Sequence, residues 1–163
     1  MIGKRMQDAL NAQIQHEMES SYLYLAMAAY FAAAGYEGMA HWMKIQSQEE
    51  TKHALRLFDH LVDREGRVEL LPLSKPKKEW PSPVAAFEEA HQHELFITGK
   101  IHDLVRLAAE EKDYAAGLLL QWYVGEQVEE EASAAKGVRL LRRVGESGQG
   151  LVLADRELGS RGA

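Results

Sequence analysis

The stretch Met43-Lys44-Ile45-Gln46-Ser47-Gln48-Glu49-Glu50-Thr51-Lys52-His53-Ala54-Leu55-Arg56-Leu57 decides how this chain is read. Alternating steps of three and four pick out Met43, Gln46, Glu50, His53, Leu57 and then Leu61. Such spacing marks the inward seam of a helix packed at a small angle against its neighbours. The middle of this seam is polar. Glu50 and His53 stand at i and i+3, so both side chains face one point. An ionised carboxylate in an apolar core is strongly disfavoured unless a partner compensates it.

The partners lie in three further segments with the same periodicity. The first carries Leu10, Ile14, Glu17, Ser21, Tyr24, Ala28 and Phe31. The third carries Phe87, Ala90, Glu94, Ile97, Ile101, Leu104 and Ala108. The fourth carries Leu120, Tyr123, Gln127, Glu130, Ala134, Gly137, Leu141 and Val144. Each seam turns polar near its midpoint, and midpoints meet at one height whichever way each helix runs. Glu17, Glu50, His53, Glu94, Gln127 and Glu130 therefore share one layer. Four carboxylates there repel one another, whereas two divalent cations balance them and leave neutral His53 and Gln127 as further ligands or hydrogen bonders. Carboxylate oxygen with one imidazole suits iron or manganese rather than thiolate-loving metals, and a glutamate pair with Glu-x-x-His helices is the general di-iron carboxylate pattern of four-helix bundles. Gln46 and Ser21 are read as hydrogen bonders around the layer. His16, His41, His60, His91, His93 and His102 are read as surface or rim residues.

The connections set the topology. Helices are expected at about 5–33, 37–65, 83–111 and 114–144, with a short fifth at about 151–159. All four prolines fall between residues 72 and 83, inside the one long break. The short first and last links make helices 1 and 2, and 3 and 4, antiparallel. The middle link of roughly 18 residues reaches ~60 Å when extended, more than the ~42 Å of a 28-residue helix. It can run the height of the bundle and leave helices 2 and 3 parallel. The fold class expected is all-α, a four-helix bundle with one long crossover and a C-terminal fifth helix, in a single domain spanning 1–163.

Composition excludes other classes. The chain has 163 residues, a formal net charge of −6 and no cysteine. Disulfide frameworks, thiolate metal sites and thiol catalysis are out. Nucleic-acid binding needs clustered Lys and Arg, and Lys75 to Lys78 and Arg139 to Arg143 are short runs that a solvated face explains. No apolar run approaches the ~20 residues of a membrane span, and Met1 to Asp8 has no apolar signal region. A cytoplasmic location is expected, with no membrane or nucleic-acid partner.

The residues quoted so far, with Ser20-Ser21-Tyr22-Leu23-Tyr24, Gln48 to His53, His93-Glu94 and Gln121 to Glu131, resemble bacterial non-haem ferritin over essentially the whole chain. The resemblance implies an iron-storage protein with ferroxidase activity. It implies one iron site at Glu17, Glu50 and His53, and a second at Glu50, Glu94 and Glu130 with Gln127 beside it. It implies a third at Glu49, Glu126, Glu129 and Glu130, leaves Glu131 outside, and makes Tyr24 a hydrogen bonder and electron donor next to the centre. Fe2+ would be oxidised by O2 or H2O2 and stored as Fe3+ mineral in a homo-oligomeric shell of 24 subunits. The fifth helix would sit at fourfold contacts of that shell.

Two departures separate the chain from bacterioferritin. That family completes a second Glu-x-x-His where this chain reads Gln127-x-x-Glu130, which implies looser iron at the second site. It also carries a haem-ligating Met at the place of Thr51, so no haem is expected here. Two other functions fit part of the pattern. A non-storing di-iron enzyme that consumes oxygen or peroxide would share the ligands but not a large shell. A metal-free helical scaffold would bind no stoichiometric iron.

Overall fold

The computed structural model describes residues 1–162 and consists of five helices: α1 Lys4–Ala33, α2 Glu37–Asp63, α3 Pro83–Glu110, α4 Tyr114–Val144 and α5 Gly148–Leu158. Helices start where the sequence supplies caps. Ser82 Oγ accepts from the Ala85 amide with Pro83 in the first turn, and Asp113 accepts from the Ala116 amide. Both satisfy amides that the helix itself leaves unpaired. Between α1 and α2, Gly35 takes a positive φ of 82° and the Tyr36 amide bonds back to the Phe31 carbonyl, which reverses the chain in three residues. α2 stops at Asp63, two residues before the expected 65. Glu65 already has φ 57° there, and its amide and that of Gly66 turn back onto Val62 and Leu61.

α1 packs along α2 and α3 along α4, α1 also touches α3, and α5 lies against α2 and α4. The crossover climbs α1 through a ladder of side chains four residues apart. Gln7 Oε1 accepts from the Arg67 amide, Asn11 bonds the Arg67 carbonyl and the Glu69 amide, Gln15 donates to the Pro72 carbonyl, and Glu19 accepts from the Ser74 amide. Trp80 then buries against Tyr30 at the far end. The crossover thus follows the direction of α1, and α2 and α3 run parallel, as the link length allows.

The polar layer divides the core into two apolar halves. One contains Leu10, Ile14, Leu57, Leu61, Ile97, Ile101 and Leu120. The other contains Met27, Phe31, Met39, Trp42, Phe87, Val138 and Leu141, together with Ala154 and Leu158 of α5. α5 is therefore joined to the bundle core, and the Asp155 carboxylate accepts from the Gly38 and Met39 amides at the start of α2 at 3.1 and 2.8 Å. A side chain at Gly38 would collide with the Asp155 carbonyl, and one at Gly137 would meet the Phe87 ring at 2.6 Å, so both positions need glycine for close approach. Among the described residues no helix is long and apolar enough to cross a membrane.

Candidate metal centre

Each helix delivers its central polar residue by simple periodicity. Glu17 lies one helical step past Ile14, Glu50 past Gln46, Glu94 past Ala90 and Glu130 past Gln127. All of Glu17, Glu50, His53, Glu94, Gln127 and Glu130 are buried, none more than 8% exposed. The structure brings them into two overlapping groups. Glu17, Glu50 and His53 offer ligand atoms within 4.8 Å of one another, and so do Glu50, Glu94 and Glu130. Glu50 belongs to both, so it is the residue that could bridge two cations.

Hydrogen bonds orient this layer without filling it. Gln13 Nε2 donates to Glu17 Oε1 at 2.8 Å. Gln46 Nε2 donates to Glu50 Oε1 at 3.1 Å and also to Glu130 Oε2. The Tyr24 hydroxyl donates to Glu94 Oε1, while Gln127 Nε2 reaches Glu94 Oε2 at 3.2 Å. The Tyr123 hydroxyl donates to the His53 carbonyl at 2.6 Å. What stays unpaired is informative: the buried Glu17 Oε2 and His53 Nδ1 have no hydrogen-bond partner. A buried polar atom left unsatisfied is costly, and these two belong to one candidate ligand group. His53 Nδ1 lies 3.3 Å from Glu50 Oε2 and 3.9 Å from Glu17 Oε2. The other ring nitrogen, Nε2, faces Glu126 Oε2 at 3.8 Å. That separation is too long for a hydrogen bond, so Glu126 faces the outer edge of the ring as a nearby carboxylate only.

Electrostatics agree with a site built for cations. Burial first, and then the Glu50 carboxylate, pushes the Glu17 carboxyl well above the usual carboxylate range. Burial and the charges of Glu94 and Glu130 do the same to Glu50. Burial raises Glu94 to about 7 even against the Tyr24 hydrogen bond, and burial with the Glu94 charge raises Glu130 to about 7. The carboxyls resist losing their protons together, which is the expected state of a metal-free carboxylate cluster. Two dications supply four positive charges to four carboxylates, and the donor set of oxygens with one imidazole fits iron.

Glu49, Glu126 and Glu129 stand apart from the buried layer. With Glu130, His53 and Lys52 they line a cavity of about 420 Å3 between α2 and α4. Glu129 is exposed and Glu126 partly so. Glu49 is held by Arg161 at 2.6 Å. Among the described residues, no three acids of this outer set offer ligand atoms mutually within 4.8 Å.

Some placements differ from the sequence reading. Ser21 does not touch the carboxylates. Its hydroxyl lies 2.8 Å from the Ser47 carbonyl and 2.9 Å from Thr51 Oγ1, knitting α1 to α2. His93 is not a surface residue. It is half-buried, with Nε2 2.6 Å from Ser20 Oγ and its ring edge-on to Tyr24, and burial lowers its pKa to about 4. Gln13 and Arg161 were not singled out by the sequence. Gln13 was open to discovery as the residue one turn before Glu17; Arg161 gives no periodic signal.

Comparison with known proteins places this architecture. A family model described as a ferritin-like domain matches residues 7–144. The chain is 41% identical over 161 residues to the bacterial non-heme ferritin of Bacteroides fragilis (strain 638R), covering 99% of this chain and 100% of that one. It is 35% identical to the bacterial non-heme ferritin of Staphylococcus aureus (strain MRSA252), covering 99% and 97%. Among solved structures, an open pore ferritin from the hyperthermophilic archaeon Archaeoglobus fulgidus superimposes with a TM-score of 0.98 at 49% identity, covering 99% of this chain and all of that one.

Proposed function

The chain belongs to the ferritin family, and from that premise we propose that it oxidises Fe2+ at the buried carboxylate layer and stores the ferric product inside a 24-subunit shell. Iron storage is the function the family supports. The observation that carries the ferroxidase reading is the pair of overlapping ligand groups sharing Glu50.

Iron here is the substrate. Glu17, Glu50 and His53 would take one Fe2+, and Glu50, Glu94 and Glu130 the other. The unpaired Glu17 Oε2 and His53 Nδ1 are free to accept the first ion. Carboxyls held above their usual range give up protons as the ions bind, because ligands must be deprotonated. Each Fe2+ then gives up one electron. O2 takes two electrons and two protons to become H2O2, or H2O2 takes two of each to become water. Protein ligands are few for each ion, which leaves coordination positions for the oxidant. Tyr24 holds Glu94 and stands beside the two ligand groups as an electron source for the reaction. The acids of the outer cavity, Glu49, Glu126, Glu129 and Glu130, form the proposed third iron site.

The test is Glu50→Ala and His53→Ala assayed for Fe2+ oxidation with O2 and with H2O2. Both variants are expected to lose at least about 100-fold in rate while helix content holds, since loss of one ligand weakens metal binding by about this much or more. Wild-type rates in both would overturn the assignment. In the same preparations the assembly is expected to elute near 24 subunits; a dimer would point to the non-storing enzyme.

A further inference from the structure

Arg161 lies beyond the end of α5, yet its side chain enters the acidic cavity between α2 and α4 and is only 19% exposed. Nη2 donates to Glu49 Oε2 at 2.6 Å and Nη1 donates to Gln46 Oε1 at 2.8 Å. The guanidinium stacks over the Trp42 ring at 4.5 Å, and the Arg161 carbonyl lies 2.9 Å from His41 Nε2. These four contacts hold a tail residue over the opening of the cavity.

The contact with Gln46 reaches inward. An arginine can only donate, so it takes the amide oxygen of Gln46 and leaves the amide nitrogen to face the interior. That nitrogen donates to Glu50 and Glu130, the residue shared by both inner ligand groups and one that also lines the outer cavity. The contact with Glu49 works outward. A guanidinium paired with a carboxylate occupies the oxygen that a cation would use, and it does so from a tethered position. Among the described residues Arg161 is the ion-pair partner of Glu49, and Lys52 lines the wall without pairing with it.

We infer that Arg161 is a positioning residue that stands in for a cation in the outer cavity: it fixes the Gln46 amide toward Glu50 and Glu130, and it must leave Glu49 before a divalent cation can bind there. The inference rests on the metal-binding reading of the inner layer. It makes the segment after α5 a determinant of how tightly a cation is held in the outer cavity.

The experiment is calorimetric titration of the intact, metal-free assembly with Zn2+, which binds oxygen and imidazole ligands without redox chemistry. Arg161→Met keeps a side chain of similar length and removes the charge, and Arg161→Ala is run beside it in case either disturbs the tail. Wild type is expected to bind two ions tightly and a third weakly. Both variants are expected to bind the third about tenfold more tightly, the value of roughly one charge-assisted hydrogen bond. Glu49→Gln in the Arg161→Met background is expected to abolish that gain, which a merely structural effect of the tail would not do. Equal third-ion affinity in wild type and both variants, or a gain that survives Glu49→Gln, overturns the inference. If wild type binds no tight pair at all, the inner-layer reading fails and takes this one with it, a result distinct from an unchanged third step.

Discussion

Glu94 and Glu130 have carboxyls near 7 in the folded chain against an ordinary 4.5, and that difference sets a stability trend. The folded state holds more protons between those values, so stability from these groups is full below about 4.5 and is lost as pH rises through about 7. Metal-free protein is therefore expected to melt at progressively lower temperature from about pH 5 to about pH 8. Zn2+ should reverse the slope, because ligation requires deprotonation. Glu50→Gln takes one ionisable group out of the crowded carboxylate layer and is expected to raise the metal-free melting temperature at about pH 8 by roughly 3 °C or more. A metal-free melting temperature that climbs with pH, followed by differential scanning calorimetry, would contradict this electrostatic picture. The six central residues could be read from sequence because a buried glutamate interrupts an apolar period, and that interruption occurs on all four long helices. Arg161 could not, because its partners Glu49 and Gln46 are 112 and 115 residues away and no periodicity leads to them. The placement of His93 escaped for a related reason: it lies beside the seam, and only the packing of Ser20 and Tyr24 against it shows that it is half-buried.

At the scale of elements, the helices follow from periodicity and caps, and their ends differ from the sequence reading by three residues at most. The start of α5 was the largest difference: Ser147 caps it by accepting from the Gly150 amide, so it begins at Gly148 rather than 151. The length of the crossover showed that it could run the height of the bundle. Its attachment could not, since the ladder of Gln7, Asn11, Gln15 and Glu19 lies on the outward side of α1, where such residues look like ordinary solvated positions. The Asp155 contact ties α5 to α2 in the same hidden way. Its carboxylate satisfies two amides at a helix N-terminus, where negative charge is favoured. Asp155→Ala is expected to cost about 1 kcal/mol and to speed amide hydrogen exchange in α5 ahead of α1 to α4. Unchanged protection in α5 would show that Ala154 and Leu158 alone hold it down.

For the whole molecule, the arrangement is a bundle whose core is deliberately interrupted. Two apolar halves, one around Leu57 and Ile101 and the other around Phe31 and Phe87, fix the four helices on either side of a layer that would be unfavourable by itself. The halves supply rigidity, and the layer supplies carboxylates whose repulsion bound cations would relieve. Val152 and Leu153 of α5 remain exposed on the single chain, which is in keeping with a subunit that assembles further. The central claim is that the layer takes two cations bridged by Glu50. It is tested most directly by anomalous diffraction at the iron edge from crystals loaded with Fe2+ without oxygen. Two iron peaks per subunit are expected, about 3.5–4 Å apart, one against Glu17, Glu50 and His53 and the other against Glu50, Glu94 and Glu130. An empty layer, or iron found only among the exposed acids of the outer cavity, would contradict the account.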